Sequence, residues 1–171
     1  MPREILKYPD PILSKKALEI AEITPEIRQL ALDMAEAMYE KRGIGLAAPQ
    51  VGECCRLIAV DISGPDERTD LKFLVNPVIL SREGEVEDEE GCLSVAQFRA
   101  KVKRSEKVVV KAKDLDGNDV EIAADDVMAV CLQHEIDHLD GILFIDRISR
   151  LKRALYDNKV KKWLKARKDD G

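Results

Sequence analysis

Apolar residues return at helical spacing in three stretches of this chain. In the first, Ile27, Leu30, Ala31, Met34 and Met38 recur every three or four residues and so predict one buried helix face. Thr24 suits its N-cap, Pro25 its first helical position, and Glu26 the positive end of the helix dipole. Gly43 ends this helix, and its methionine stripe reads as core. In the second stretch Asp125 or Asp126 caps a helix on which Val127, Val130, Cys131, His134 and His138 share a face. Gly141 closes that helix as its C′ residue. In the third, Ser149 caps a helix whose apolar positions are Leu151, Leu155, Val160, Trp163 and Leu164, set among Lys and Arg. That last stripe is imperfect.

Between these helices the pattern changes to that of strands. Residues 56–62 read as one strand and 73–80 as another, with Pro77 making the second an edge or a bend. Gly64-Pro65-Asp66 opens a polar loop between them. Residues 107–113 and 119–123 flank Asp116-Gly117-Asn118, a strong hairpin signal. The acidic run 83–90 reads as a solvated hairpin arm, and Lys7-Tyr8-Pro9-Asp10-Pro11 as a rigid turn. No repeat or low-complexity tract interrupts the order.

Composition narrows the class. A chain of 171 residues suits one domain with a fair-sized core, and 36% charged with 45% apolar residues is globular. No apolar run is long enough to span a bilayer, and the first residues lack the apolar core of a signal peptide. The four cysteines, two of them adjacent, show no disulfide-framework spacing, so reduced thiols in a cytoplasmic protein are expected. Charge is unevenly spread. Residues 149–171 hold nine Lys/Arg and three Asp, a net +6, which leaves −11 on the rest of a chain whose total is −5. A basic tail on an acidic body points to an anionic partner for the tail.

Candidate chemistry centres on the second helix. The chain has only two histidines, His134 and His138, with Glu135 directly after the first. Positions i and i+4 lie on one helix face, so two imidazoles can grip one metal while Glu135 reaches a water beside it. A catalytic metal usually has three protein ligands, so the third here is Cys, Asp or Glu. Cys92, after Gly91, has two readings: a buried inert thiol, or a thiolate ligand. Cys131 lies on the histidine helix and reads as pocket lining. The segment from Gly43 to Gly52 also has two readings. It is either a helix cap followed by a turn, or a cleft wall from which Gln50 offers a hydrogen bond.

Three separated stretches taken together resemble the motifs of the peptide deformylases. They are Gly43-Ile44-Gly45-Leu46-Ala47-Ala48-Pro49-Gln50, Glu90-Gly91-Cys92-Leu93-Ser94, and His134-Glu135-Ile136-Asp137-His138-Leu139-Asp140-Gly141. Tyr8-Pro9-Asp10-Pro11-Ile12-Leu13 is similar to that family's N-terminal segment, and the likeness runs from about Ile5 to the final helix. The resemblance implies Cys92 as third ligand beside His134 and His138. It also implies Fe(II) as the metal, replaceable by Zn, Ni or Co. Glu135 would move the proton, while Gln50 and the Leu93 amide would stabilise the oxyanion. The implied reaction removes the formyl group from N-formyl-Met nascent peptides and releases formate. Ile44, Val130 and Cys131 would line the methionine pocket, the peptide would run along Gly45 and Gly91, and Arg99 would touch it.

The fold so implied is α+β: antiparallel β-sheets surrounding a central helix that carries the metal motif, plus an N-terminal and a C-terminal helix, in one domain over 1–171. The basic helix over 149–171 resembles that of the bacterial type 1 members, which suggests ribosome contact; neither DNA nor a membrane is an expected partner. Ala96 and Ser14 depart from common family residues away from the metal chemistry. Another H-E-x-x-H metallohydrolase would usually take a downstream His or Glu as third ligand, and no His lies downstream here. A closed structural Cys-His-His site would leave Glu135 without a task.

Overall fold

Thr24 caps helix α1 (Pro25–Glu40), its hydroxyl accepting a hydrogen bond from the Ile27 amide at 3.2 Å. The computed structural model describes residues 3–170, with side chains as far as 167. The face that α1 buries holds Leu30, Ala31, Met34 and Met38, as its spacing predicts. The segment after it is neither a plain turn nor a loop. Gly45–Ala47 forms strand β1, and Ala48–Val51 continues as a single 3-10 turn.

Strands β1, β2 (Leu57–Val60), β3 (Lys72–Glu83), β6 (Lys107–Lys113) and β7 (Asp119–Asp125) form one antiparallel sheet in the order β1-β2-β3-β6-β7. All four residues of β2 are buried because both sheet faces are covered. Leu57 and Ala59 pack with α1, whereas Ile58 and Val60 pack with helix α3 (Asp126–Leu139). Of the edge or bend expected at Pro77 the structure has the bend, and one expected loop is corrected. β3 is an interior strand with β2 on one side and β6 on the other. Its Pro77 is tolerated because it falls at a register shift between Val75 and Val78, just past the end of the β2 pairing. Residues Gly64–Glu67, expected as loop, make a one-turn helix, α2.

The acidic arm is half as expected. Strand β4 (Val86–Cys92) exposes Glu87, Asp88 and Glu89 but buries Glu90. It pairs with β5 (Val95–Arg104), a strand that the sequence pattern did not single out. On β5 the alternate positions Ala100, Val102 and Arg104 point inward. This two-stranded sheet lies against the final helix α4 (Arg150–Asp170).

The apolar stripe expected on α4 is corrected at three of its five positions. Leu151, Leu155 and Leu164 are exposed. The helix is anchored by Val160 of that stripe and by Tyr156 outside it, with Trp163 half-buried, against Leu13, Val95, Val102, Leu143, Phe144 and Ile145. The Tyr156 hydroxyl donates to the Ala96 carbonyl at 2.9 Å.

Helix α3 runs between the two sheets. Asp125 occupies its N-cap without a side-chain hydrogen bond, and Asp126 has φ 47°. Gly141 ends it at φ 75°, where a Cβ would stand 2.6 Å from the Ser14 carbonyl oxygen.

Candidate metal centre and active site

Cys92 closes β4, while His134 and His138 lie one turn apart on α3. The packing of α3 against β4 brings a ligand atom from each within 4.8 Å of the other two. Nε2 of His138 is 3.3 Å from Nε2 of His134 and 3.4 Å from Sγ of Cys92. Nδ1 of His134 is 2.9 Å from Oε1 of Glu90. An ionised carboxylate only accepts, so that bond puts the proton on Nδ1 and leaves the Nε2 lone pair facing the other two donors. Burial, with His134 and Arg104 nearby, pushes His138 well below the ordinary imidazole range, which favours a neutral ligand. Burial also lowers His134, but Glu135, Cys92 and Glu90 outweigh it and raise this imidazole. One proton is thus drawn to a point where three electron-rich atoms meet. A divalent cation held by the same three atoms would take the place of that proton. The donor set, one sulfur and two nitrogens, fits a borderline-soft metal.

Glu90 is held in place from behind. Burial alone would raise its carboxyl, but hydrogen bonds from Arg104 and His134 outweigh this and hold it at about 2. Arg104 meets it twice at 2.9 Å, through Nε and a terminal nitrogen.

Glu135 has the opposite surroundings. It is buried, and its Oε1 has no hydrogen-bond partner among the described residues. Burial pushes its carboxyl up to about 7, with the attraction of His134 opposing and the repulsion of Glu90 adding. Its Oε1 lies 4.0 Å from Nε2 of His138. Gly45 of β1 passes directly over it. A Cβ there would stand 2.5 Å from Oε2 of Glu135 and 2.9 Å from Sγ of Cys131, so the strand can come this close only as glycine.

Above these groups opens a cleft of about 1070 Å³. Ile44 and Gly45 line one wall, Gly91 and Arg99 the other, and Val130, Cys131, His134 and Glu135 the floor. Gln50, Cys92 and Leu93 line it as well, so every residue nominated from the sequence meets here except His138, which lies beneath. Gln50 is fixed through both ends of its amide. Its Oε1 accepts from the Ala47 amide at 2.9 Å, and its Nε2 reaches Oγ of Ser94 at 3.0 Å and Sγ of Cys92 at 3.6 Å. Arg99 lies across Gly91 and pairs with Glu89.

The sequence reading missed Glu90, Arg104, Asp137 and Arg147. Glu90 was hidden in the acidic run. The alternation of Ala100, Val102 and Arg104 along β5 was the signal that could have found Arg104.

A half-buried thiol and two buried imidazoles beside an ionisable carboxyl, on an H-E-x-x-H helix under an open cleft, define a metal-dependent hydrolase as the class of this protein. A family model described as polypeptide deformylase matches residues 2–154, and the chain belongs to that family. A peptide deformylase of Thermodesulfovibrio yellowstonii is 52% identical over 158 residues, covering 92% of this chain and 96% of the relative. One from Acidobacterium capsulatum is 49% identical over 169 residues, covering 97% and 98%. Among solved structures, a peptide deformylase from Legionella pneumophila superposes with a TM-score of 0.91 at 43% identity, covering 98% of each chain. One from Synechococcus elongatus, in complex with actinonin, gives 0.88 at 38% identity, covering 94% of this chain and 88% of that one.

Proposed function

We propose that this chain hydrolyses the formamide bond of N-formylmethionyl peptides, giving formate and a free amino terminus. The observation that carries the reading is the meeting of Cys92, His134 and His138 beside Glu135, on the floor of a cleft between two strand edges. β1 ends the five-stranded sheet and β4 pairs only with β5 among the described residues, so each offers an unpaired edge toward that cleft. An extended peptide can add to such an edge by main-chain bonds, which leaves side chains beyond methionine less selected. Gly45 and Gly91 let it approach closely, and Arg99 stands beside it. Ile44, Val130 and Cys131 form the apolar wall for the methionine side chain.

A divalent cation held by Cys92, His134 and His138 supplies Lewis-acid polarisation of the formyl group and a lowered pKa for the attacking water. Glu135 takes the proton of that water and delivers it to the leaving amine. A carboxyl near 7 is suited to both directions of transfer at neutral pH. The Gln50 amide and the Leu93 N–H donate to the oxygen on which charge develops. Fe(II) is the native metal in this reading, with Zn, Ni or Co able to replace it. Thiolate ligation of iron makes the site sensitive to oxygen.

The test is formate release from formyl-Met-Ala-Ser by anaerobically purified protein, with metal analysis of the same sample. Formate in proportion to bound iron is expected. Release of amino acids without formate would indicate a peptidase of the same motif, and a bound metal with neither product would indicate a structural site.

In this reading 1–171 is one catalytic domain that works in the cytoplasm on nascent chains. No helix of the described residues is long and apolar enough to cross a membrane. Helix α4 contacts the ribosome through the face that its docking leaves outward, where Leu151 and Leu155 stand among Lys152, Lys159 and Lys162. Such a contact weakens steeply with salt. Deleting the helix would also strip Tyr156 and Val160 from the core, so the clean variant is Leu151→Ser with Leu155→Ser and Lys162→Glu. Unchanged co-sedimentation with ribosomes at low salt would sink this contact.

A further inference from the structure

We propose that Arg147 is a positioning residue for the metal ligand His134, acting through Asp137, Arg104 and Glu90. This rests on the reading of Cys92, His134 and His138 as metal ligands.

The four side chains alternate in charge and run from the surface to the imidazole. Arg147 grips Asp137 with two parallel bonds, Nε to Oδ2 at 2.6 Å and a terminal nitrogen to Oδ1 at 2.7 Å. Arg104 donates to Oδ2 of Asp137 at 2.5 Å and forks onto both oxygens of Glu90 at 2.9 Å. Oε1 of Glu90 then accepts from Nδ1 of His134 at 2.9 Å. Both oxygens of each carboxylate are occupied, and Nε and both terminal nitrogens of Arg104 are in use. No member can turn without breaking a bond to its neighbour. Arg147 is the outer end, 39% exposed where Arg104 is 3% and Asp137 10%.

Stability does not explain such an array, since well-packed apolar side chains in place of buried ion pairs are often as stable or more so. Its topology points to orientation. Asp137 and His134 lie on α3, Glu90 on β4 and Arg104 on β5. The array therefore fixes the histidine helix against the strand that ends in Cys92, two residues beyond Glu90. Bidentate guanidinium–carboxylate pairs are the geometry that sets such a register sharply.

The experiment uses Co(II)-loaded protein and the rate at which excess chelator removes the metal, followed by the cobalt absorption spectrum, with melting of each metal-free protein alongside. Groups that directly hold a metal ligand typically change metal affinity by about 10–100-fold. Arg147→Met, three side chains further out, is expected to release Co(II) about three- to tenfold faster with a shifted spectrum, and Arg147→Lys to recover part of the difference. In a Glu90→Gln background Arg147→Met should add less than about twofold, because the connection is already cut.

Arg153→Met removes a neighbouring ion pair with Asp146 without touching Asp137. It should lower melting yet release Co(II) at the parent rate. A parent-like rate in Arg147→Met, an equal factor in both backgrounds, or the same acceleration from Arg153→Met would each overturn the proposal. Failure of the parent protein itself to hold Co(II) would instead remove the ligand assignment on which it rests.

Discussion

Helices α3 and α4 both mix apolar with charged residues, but they divide them in opposite ways. From Cys131 to Leu139 every residue of α3 is buried, including Gln133, His134, Glu135, Asp137 and His138. Among its described side chains helix α4 buries only Tyr156 and Val160 fully and leaves Leu151 and Leu155 outside. Side-chain hydropathy therefore does not decide which way these residues face; available partners do. Each polar side chain on the inward part of α3 meets a group from β1, β3, β4, β5 or a flanking loop. The buried side-chain atoms left over there are Oε1 of Glu135 and Nδ1 of His138, both at the site. Buried polar atoms without partners are few in native proteins, and those on α3 both lie where the proposed function puts the chemistry. On α4 the two leucines lie opposite the docked face, and exposed leucines are ordinary unless a partner covers them.

The strongest test of that contrast replaces the orphaned carboxyl. Glu135→Gln should lower formate release by about 10³, within the range for losing a general base. Its melting temperature should not fall. Oε1 makes no hydrogen bond that the substitution could break, and burial already disfavours its charge, with the carboxyl pushed up to about 7. A loss of stability alongside the loss of rate would mean that Glu135 supports the fold as its buried neighbours do. Metal content should match that of the parent.

Next comes the strand that shields α3. Gly45→Ala puts a methyl group 2.5 Å from Oε2 of Glu135 and 2.9 Å from Sγ of Cys131, and both side chains must move. Displacement of a catalytic group by about 1 Å is worth roughly 10² in rate, so kcat should fall about that far. Steady-state formate release with formyl-Met-Ala-Ser measures it. An undiminished kcat would mean that Glu135 tolerates displacement, and the close approach of β1 would then need another reason.

The same contrast explains what could be read from the chain. The spacing of His134, Glu135 and His138 was legible because a helix turns local separation into a shared face. The α1 stripe and the 107–123 hairpin were legible for the same local reason. Cys92 as third ligand came only with the family resemblance, since its 42-residue separation from His134 leaves no periodic trace. Glu90 and Arg104 were lost because an acidic run and a Lys-rich strand look solvated until their partners are known. On α4 the apolar positions noted from the sequence included Leu151 and Leu155 but not Tyr156, yet the core took Tyr156. The environment that chose the tyrosine consists of Tyr8, Phe98 and the Ala96 carbonyl, all distant in sequence.

That choice is testable at smaller amplitude. Tyr156→Phe keeps the ring packing, with Phe98 at 4.7 Å between centroids, and deletes only the bond to the Ala96 carbonyl. The lost hydrogen bond should reduce unfolding free energy by about 1 kcal/mol, read as a lower urea midpoint. Formate release per folded molecule should be unchanged. A rate loss would place the α4 anchor within reach of the site and weaken the division between the two helices.

The smallest effect is expected where hydropathy alone would forecast a large one. Leu151 is 71% exposed and Leu155 57%, so replacing both by serine removes little buried area. Surface changes away from caps and buried networks usually stay within about 0.5 kcal/mol, and the doubly substituted protein should unfold within that margin of the parent. Urea titration reads it directly, and hydrogen exchange of the Tyr156 and Val160 amides should keep parent protection because their packing is untouched. A shift beyond about 1 kcal/mol, larger than the tyrosine bond is worth, would mean that these leucines are covered in solution by something within the protein itself. In that case the outward face of α4 would not be free for a partner, and the contrast with α3 would be one of degree.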